Sequence, residues 1–121
     1  MKKILIIEDN KLNLELLEQL LHDEYIIFSA VDGRAGLKSV KENHPDLIIL
    51  DVSLPIIDGY EISRIIKNDE KLKDIIIIGL SSRAMTGDDR KAKYAGFDEY
   101  LTKPLDETLL FKKLDKYLKN D

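Results

Sequence analysis

Cysteine is absent from the 121-residue chain, so disulfide bonds and thiolate chemistry are excluded. This absence agrees with a reducing compartment, and we expect a cytoplasmic location. Long apolar runs are absent too. Runs such as Ile75 to Ile78 are far shorter than the roughly 18 apolar residues that a membrane-spanning helix needs. No signal-peptide pattern follows Met1. We expect no interaction with a membrane.

A basic surface is also missing, since the net charge is −4. Positive charge is concentrated only near the C-terminus, where lysines are interleaved with leucine and tyrosine. Such sparse charge on an acidic chain is a weak footprint for nucleic acid, so we interpret these lysines as a solvated helix face and expect no direct DNA binding. The length fits one domain, predicted over residues 1–121, and no repeat divides it.

Short, continuous apolar runs alternate with amphipathic stretches along the chain. Such runs are typical of strands buried on both faces of a parallel sheet. The strongest strand candidates are Ile4 to Ile7, Leu47 to Leu50 and Ile75 to Ile78, and weaker ones are Tyr25 to Ser29 and Glu99 to Thr102. Strands alternating with helices predict an α/β fold with helices on both faces of the sheet.

Capping residues mark where most of the predicted helices begin. Asp32 is the predicted cap of the helix Arg34 to Asn43, and Asp58 with Glu61 forms a predicted capping box for Gly59 to Lys67. Thr86 is the predicted cap of a helix that ends at Ala95 and is stopped by Gly96, and Asp106 is the predicted cap of the last helix. These helices complete five βα units. The predicted fold is therefore a flavodoxin-like, doubly wound (βα)5 with a five-stranded parallel sheet in the order 2-1-3-4-5.

The first predicted helix, from about Lys11 to Asp23, carries leucines over an unusually wide arc. At about 100° per residue they cover roughly 200°, whereas a surface helix needs little more than roughly 100° to bury its core stripe. Two interpretations stay open. The helix is deeply buried, or one edge of it, at Leu12 or Leu14, faces a partner protein.

Polar residues follow the apolar runs at the predicted carboxyl ends of the strands. They are Glu8 and Asp9 after the first strand, Asp51 after the third, Ser81 and Ser82 after the fourth, and Thr102 and Lys103 after the fifth. In an open parallel sheet, ligands bind at this edge, where the strand order reverses. For the order 2-1-3-4-5 the reversal lies between the first and third strands, so we expect Glu8, Asp9 and Asp51 to lie together.

Three carboxylates in one crevice either raise their pKa values or bind a cation. Oxygen ligands with open positions favour Mg²⁺. A lysine and a hydroxyl at neighbouring strand ends supply the charge and the hydrogen bond that a phosphoryl group needs. One carboxylate not consumed in holding metal can then act as a nucleophile and form an acyl phosphate. Any one of these residues alone has an ordinary structural explanation, but their joint placement predicts phosphoryl chemistry.

The chain resembles the receiver domain of two-component response regulators over nearly its whole length. Four segments carry this resemblance. They are Ile6 to Asn10, Leu50 to Gly59, Gly79 to Ser82 and Ala95 to Pro104. The Glu8-Asp9-Asn10 opening is similar to that of single-domain receivers of the chemotaxis and cell-fate type. The resemblance implies a switch protein whose only enzymatic chemistry is its own phosphorylation and dephosphorylation.

The resemblance also implies a role for each acidic residue. Asp51 would accept a phosphoryl group from a phosphohistidine on a sensor histidine kinase or a histidine phosphotransfer protein. Glu8, Asp9, Asp51 and the backbone carbonyl of Ser53 would hold Mg²⁺, or Mn²⁺ in its place. Ser53 and Arg83 stand at positions that tune the lifetime of the phosphoryl group in the family.

The remaining implied residues form the switch. Lys103 would pair with the phosphoryl oxygens, Ser81 would hydrogen-bond them, and Tyr100 would turn inward on activation. The Lys103–Pro104 bond is expected to be cis. The output surface for a downstream protein would be the helix before Gly96, the fifth strand and the last helix. The kinase or phosphotransfer partner would dock on the first helix, at Leu12 and Leu14, and the protein would be a monomer or weak dimer.

Three alternatives to the switch fit the sequence less well. A phosphatase or phosphomutase that forms an aspartyl phosphate usually has a second Asp two residues after the nucleophile, and here that position is Ser53. A flavodoxin-type cofactor binder needs a glycine-rich phosphate loop, which is missing. A receiver that only binds proteins would not need the complete set of acids, hydroxyl and lysine.

Overall fold

Strands and helices alternate along the chain in the computed structural model, which describes residues 1–82 and 95–118. The elements in those ranges are β1 (Lys3–Ile7), α1 (Lys11–Leu21), β2 (Ile26–Ala30), α2 (Gly33–Asn43), β3 (Leu47–Asp51), α3 (Gly59–Lys67), β4 (Ile76–Ser81), β5 (Glu99–Thr102) and α4 (Glu107–Leu118). The helix predicted from Thr86 lies, except for its last residue, outside the described residues, as does Arg83.

All five strands are parallel and lie in the order β2-β1-β3-β4-β5, which confirms the predicted sheet. Ile4 pairs with Leu47 in β3, and Leu47 pairs with Ile76 in β4. The central strands β1 and β3 are almost wholly buried, because helices cover both faces of the sheet. None of the described helices is long and apolar enough to span a membrane.

The hydrophobic core has two layers, one on each face of the sheet. Successive strand residues point to opposite faces, so Ile4 and Ile6 pack with α1 and α4, whereas Leu5 and Ile7 pack with α2 and α3. Leu14, Leu17 and Leu21 of α1 belong to the first layer with Leu110, Leu114 and Leu118 of α4. The sheet is therefore packed between helices on both sides.

Side-chain caps begin the helices, as the sequence indicates. Asp32, Asp58 and Asp106 each accept a hydrogen bond from the backbone N–H three residues on, at 2.7, 2.9 and 3.1 Å. Asn10, which the sequence did not single out as a cap, does the same for α1 at 3.0 Å. Gly96 has φ +84°, in agreement with the helix stop expected there.

The fourth strand continues past the predicted apolar run and includes Gly79, Leu80 and Ser81. A glycine within a strand often marks the close approach of another group. A Cβ at Gly79 would lie 2.7 Å from the ring of Phe97, so the missing side chain leaves the space that this ring fills.

The leucines of α1 divide between core and surface. Leu14 is only 7% exposed and packs in the core, whereas Leu12 is 66% and Leu16 56% exposed. The prediction that Leu14 faces a partner is therefore wrong, because its side chain packs in the core against the sheet. Docking at Leu12 stays a prediction.

Candidate metal centre

Three carboxylates meet where β1 and β3 end. Glu8 and Asp9 follow β1, Asp51 is the last residue of β3, and the pairing of Ile7 with Leu50 brings these ends side by side. One carboxylate oxygen from each residue lies within 4.8 Å of the others. The carboxyl-end crevice predicted from the strand order therefore exists, and it contains the predicted acids.

Burial differs among the three acids and sets their electrostatics. Glu8 and Asp51 are only 1% and 4% exposed, whereas Asp9 is exposed. Burial and the neighbouring Asp51 carboxylate raise the pKa of Glu8 to about 7, although the N–H of Asn10 donates to Glu8 Oε2 at 3.2 Å and opposes this shift. A cation bound between the carboxylates would favour their ionised forms and so offset the burial and repulsion that raise this pKa.

Lys103 reaches the same crevice from the end of β5. Its Nζ lies 3.1 Å from Oε1 of Glu8 and 3.6 Å from Oδ2 of Asp51. Burial lowers the pKa of Lys103, but the two carboxylates outweigh burial and the pKa is raised, so the ammonium stays charged. The Lys103–Pro104 peptide bond, expected to be cis, is cis.

The backbone fixes the orientation of the Asp51 carboxylate. The N–H of Ser53 donates to Oδ1 at 2.9 Å, which leaves Oδ2 on the side of Lys103. The N–H of Val52 donates to the carbonyl of Leu80 at 3.0 Å and holds the chain after β3 against β4. Asp51 is therefore held by its own loop as well as by its neighbours.

The donor set suits a hard divalent cation. All three side chains offer oxygen, and the described residues around them contribute no sulfur or imidazole ligand to the cluster. Three protein oxygens leave several coordination positions for water or for a phosphoryl oxygen, which is the coordination that Mg²⁺ prefers. The exposed Asp9 opens the cluster to solvent on one side.

Of the predicted switch residues on β4 and β5, Ser81 lies at the same end of the sheet and Tyr100 lies two residues before that end. Ser81 ends β4, is 2% exposed, and pairs with Thr102, while its carbonyl accepts the backbone N–H of Lys103 at 2.7 Å. Tyr100, opposite Gly79 in the sheet, is half-buried. The structure thus clusters Glu8, Asp9 and Asp51, places Lys103 beside Glu8 and Asp51, and places Ser81 at the adjoining strand end.

One residue beside Tyr100 was not predicted from the sequence. The hydroxyl of Tyr60, in the first turn of α3, lies 2.9 Å from the hydroxyl of Tyr100. The usable signal was the spacing of Tyr60, Ser63 and Lys67, three and four residues apart, which puts non-aliphatic side chains on one helix face. That spacing shows a shared face but not the strand that the face contacts.

Comparison with known proteins gives the same result as the site geometry. The sequence model of the response regulator receiver domain matches residues 4–115. The polar-differentiation response regulator DivK of Brucella ovis is 33% identical over 120 residues, which cover 97% of this chain and 96% of that protein. DivK of Brucella anthropi is 31% identical over 118 residues, with the same coverage.

Solved structures agree. The chemotaxis protein CheY4 of Vibrio cholerae matches with a TM-score of 0.90 and 27% identity, covering 98% of this chain and 99% of that one. The receiver domain of a sensor histidine kinase from Pseudomonas aeruginosa, which has a magnesium ion coordinated in its active-site cleft, matches with a TM-score of 0.88 and 31% identity over 98% of each chain. With this fold and this acidic crevice, the chain belongs to the response regulator receiver family and is a phosphoacceptor switch of two-component signalling.

Proposed function

We propose that Asp51 accepts a phosphoryl group from a phosphohistidine on a sensor histidine kinase or a histidine phosphotransfer protein. The observation that carries this assignment is the contact of Lys103 with both Glu8 and Asp51 inside a cluster of three carboxylates. Phosphoryl transfer asks a protein mainly for position and charge neutralisation, and this crevice offers both.

Glu8, Asp9, Asp51 and the backbone carbonyl of Ser53 would hold Mg²⁺ in this proposal, with Mn²⁺ as a substitute. The all-oxygen donor set supports it, as does the magnesium ion in the Pseudomonas aeruginosa receiver. When bound, the ion neutralises charge on the transferring phosphoryl oxygens.

The chain's own groups carry the transfer. A carboxylate oxygen of Asp51 forms a bond to phosphorus while the phosphorus–nitrogen bond of the donor histidine breaks, and the departing imidazole takes its proton from solvent. The Ser53 N–H on Oδ1 keeps the carboxylate oriented, so Oδ2 is the oxygen that lies beside Lys103. Hydrolysis of the acyl phosphate, with water as the nucleophile, would return Asp51 to its carboxylate and reset the switch.

Lys103 and Ser81 would receive the new charge. Phosphorylation adds about −1.5 to −2 charge to a crevice that already holds acids. Lys103 can turn from the carboxylates to the phosphoryl oxygens, and the Ser81 hydroxyl can donate to one of them. Through Ser81 and Tyr100 the local change would alter binding of a downstream protein on the side of β5 and α4.

An apolar groove beside the crevice supports a donor that is a protein. The groove, of about 290 Å³, runs between α1 and the segment after β5, and Leu16, Leu20 and Leu105 line it together with Glu8 and Lys103. A partner helix seated there, near the exposed Leu12, would present its phosphohistidine to Asp51. The proposal includes a cytoplasmic monomer or weak dimer that binds no DNA.

Labelling with a radioactive phosphodonor, either acetyl phosphate or a phosphorylated histidine phosphotransfer protein, tests the assignment. We expect Mg²⁺-dependent, acid-stable and base-labile label in the native chain and none in Asp51→Asn. Asp74→Asn is the matched control, because Asp74 is exposed and precedes the amino end of β4, at the opposite edge of the sheet. Label that persists in Asp51→Asn would refute the assignment.

A further inference from the structure

Tyr60 and Tyr100 form a hydroxyl pair, although they are 40 residues apart in the chain. Their oxygens are 2.9 Å apart, and either phenol can donate. Phe97 stacks on both rings, with centroid distances of 5.5 Å to Tyr60 and 5.8 Å to Tyr100 and interplanar angles of 28° and 21°. Three aromatic rings thus connect the start of α3 with β5.

Gly59, the residue before Tyr60, couples the start of α3 to the backbone of the phosphoacceptor. A Cβ at Gly59 would come within 2.6 Å of the Cα of Val52 and 2.7 Å of the carbonyl oxygen of Asp51. The N–H of Gly59 also donates to the carbonyl of Val52 at 3.2 Å. Because these backbones are in direct contact, a displacement at Asp51 or Val52 moves the helix end that carries Tyr60.

Two further side chains on the same face fix the rest of α3. The buried Ser63 hydroxyl donates to the carbonyl of Ala95 at 2.6 Å, and the ammonium of Lys67 lies 3.0 Å from the carboxylate of Asp98. Both contacts lie farther along the helix than Tyr60, away from Asp51. A change at Asp51 therefore acts first on the start of α3, which contacts the backbone of Asp51 and Val52.

We propose that Tyr60 is a positioning residue of the switch, whose hydroxyl holds Tyr100 in one of two arrangements that phosphorylation of Asp51 interconverts. The inference rests on the proposed function of Asp51. A hydrogen bond is directional, so the hydroxyl pair fits one position of the Tyr100 ring, whereas stacking on Phe97 tolerates sliding. A contact that differs between two arrangements must alter affinity for the group that interconverts them, because coupling between sites is reciprocal.

A double-mutant cycle with beryllofluoride and Mg²⁺ as the phosphoryl analogue tests this role. The affinity for this analogue is measured for the native chain, Tyr60→Phe, Tyr100→Phe and the double variant. The substitutions keep the aromatic rings and remove only the hydroxyls. We expect each single variant to change the affinity in the same direction by about threefold to tenfold, the range of one net hydrogen bond. The double variant should match either single variant, because both remove the same contact.

Tyr25→Phe is the matched control. Tyr25 precedes β2 and packs against the core layer on the other face of the sheet, so its variant should bind the analogue as the native chain does. Equal affinities in all four proteins of the cycle, or single effects that add in the double variant, would overturn the role of Tyr60. If the native chain itself does not bind the analogue, the proposed function fails as well, so the two failures are distinguishable.

Discussion

The ammonium of Lys103 lies 3.1 Å from the carboxylate of Glu8, although 95 residues separate them in the chain. Glu8 is 1% exposed and the Lys103 side chain 25% exposed, so this contact is a partly buried pair in the acidic crevice. A buried pair contributes little net stability, because desolvation of both charges opposes their attraction. The role of the contact is positional, since it holds the Lys103 ammonium beside Asp51.

Replacing Lys103 separates metal binding from phosphoryl binding. In Lys103→Ala we expect Mg²⁺ affinity to be retained or increased, because a competing cation leaves the crevice. Affinity for beryllofluoride should fall by about tenfold to a hundredfold, since a charge-assisted contact is lost. Calorimetric titration of both ligands measures the two effects, with the exposed Lys112→Ala as control. Native-like beryllofluoride binding in Lys103→Ala would contradict the role of this lysine.

Magnesium binding should depend on pH through Glu8. Because its pKa is about 7, the Glu8 side chain is protonated in a large fraction of molecules near neutrality, and a metal ion must displace that proton. We expect the apparent Mg²⁺ affinity to rise as the pH rises through 7 and to level off once Glu8 is ionised. Calorimetry in buffers of different ionisation enthalpy counts the released protons.

Glu8→Gln provides the comparison for this pH dependence. The amide cannot titrate, so the variant should bind Mg²⁺ more weakly and release no proton near neutrality. Its residual affinity should be flat over the same pH range. Undiminished proton release from Glu8→Gln would show that another group is displaced and would reject this explanation.

Ile56 stores backbone strain in the loop after β3. Its φ is +69°, a left-handed conformation that costs a β-branched residue about 1–2 kcal/mol, and its side chain is 97% exposed. We expect Ile56→Gly to stabilise the chain by about 0.5–1 kcal/mol, because the relieved strain exceeds the added entropy of the unfolded glycine. Urea denaturation measures the difference.

The neighbouring residue supplies the control. Ile57 has no positive φ and packs against the core layer formed with α2 and α3. Ile57→Gly should therefore destabilise the chain, since apolar contacts are lost and no strain is relieved. Destabilisation by both glycines would show that the Ile56 conformation costs less than its side chain contributes.

Leu12 and Leu14 of α1 should respond differently to substitution by glutamate. Leu12→Glu leaves a native fold, because Leu12 is 66% exposed, and should slow transfer from a phosphorylated protein donor about tenfold or more. Phosphorylation by acetyl phosphate should be unchanged in that variant. Leu14→Glu should lose at least about 3 kcal/mol of stability, because a charge replaces a core side chain.

Thermal unfolding and the two transfer rates together decide the docking prediction. Normal protein-donor transfer in folded Leu12→Glu would place the docking surface elsewhere. An unfolding temperature of Leu14→Glu equal to that of the native chain would contradict its assignment to the core.

The order of apolar and polar residues along the chain is enough to predict where the chemistry lies. Residues that the site uses stand at the ends of three predicted strands, Glu8 and Asp9 after β1, Asp51 at the end of β3 and Lys103 after β5. Parallel strands all end at one edge of a sheet, so a pattern along the chain is enough to bring these groups together. The caps Asp32, Asp58 and Asp106 could also be predicted from the sequence, because each acts within one helical turn.

Contacts that depend on packing between distant segments could not be predicted from the sequence and became visible in the folded chain. The leucine arc of α1 fits either a buried or a partner-facing edge, and the sheet beneath Leu14 resolved that choice for this side chain. No spacing in the sequence joins Tyr60 to Tyr100, because their meeting depends on the register of α3 against β5 and on the space that Gly79 leaves for Phe97. Periodicity specifies which face of an element is apolar, whereas the complementary shapes of side chains from remote segments determine which residues touch.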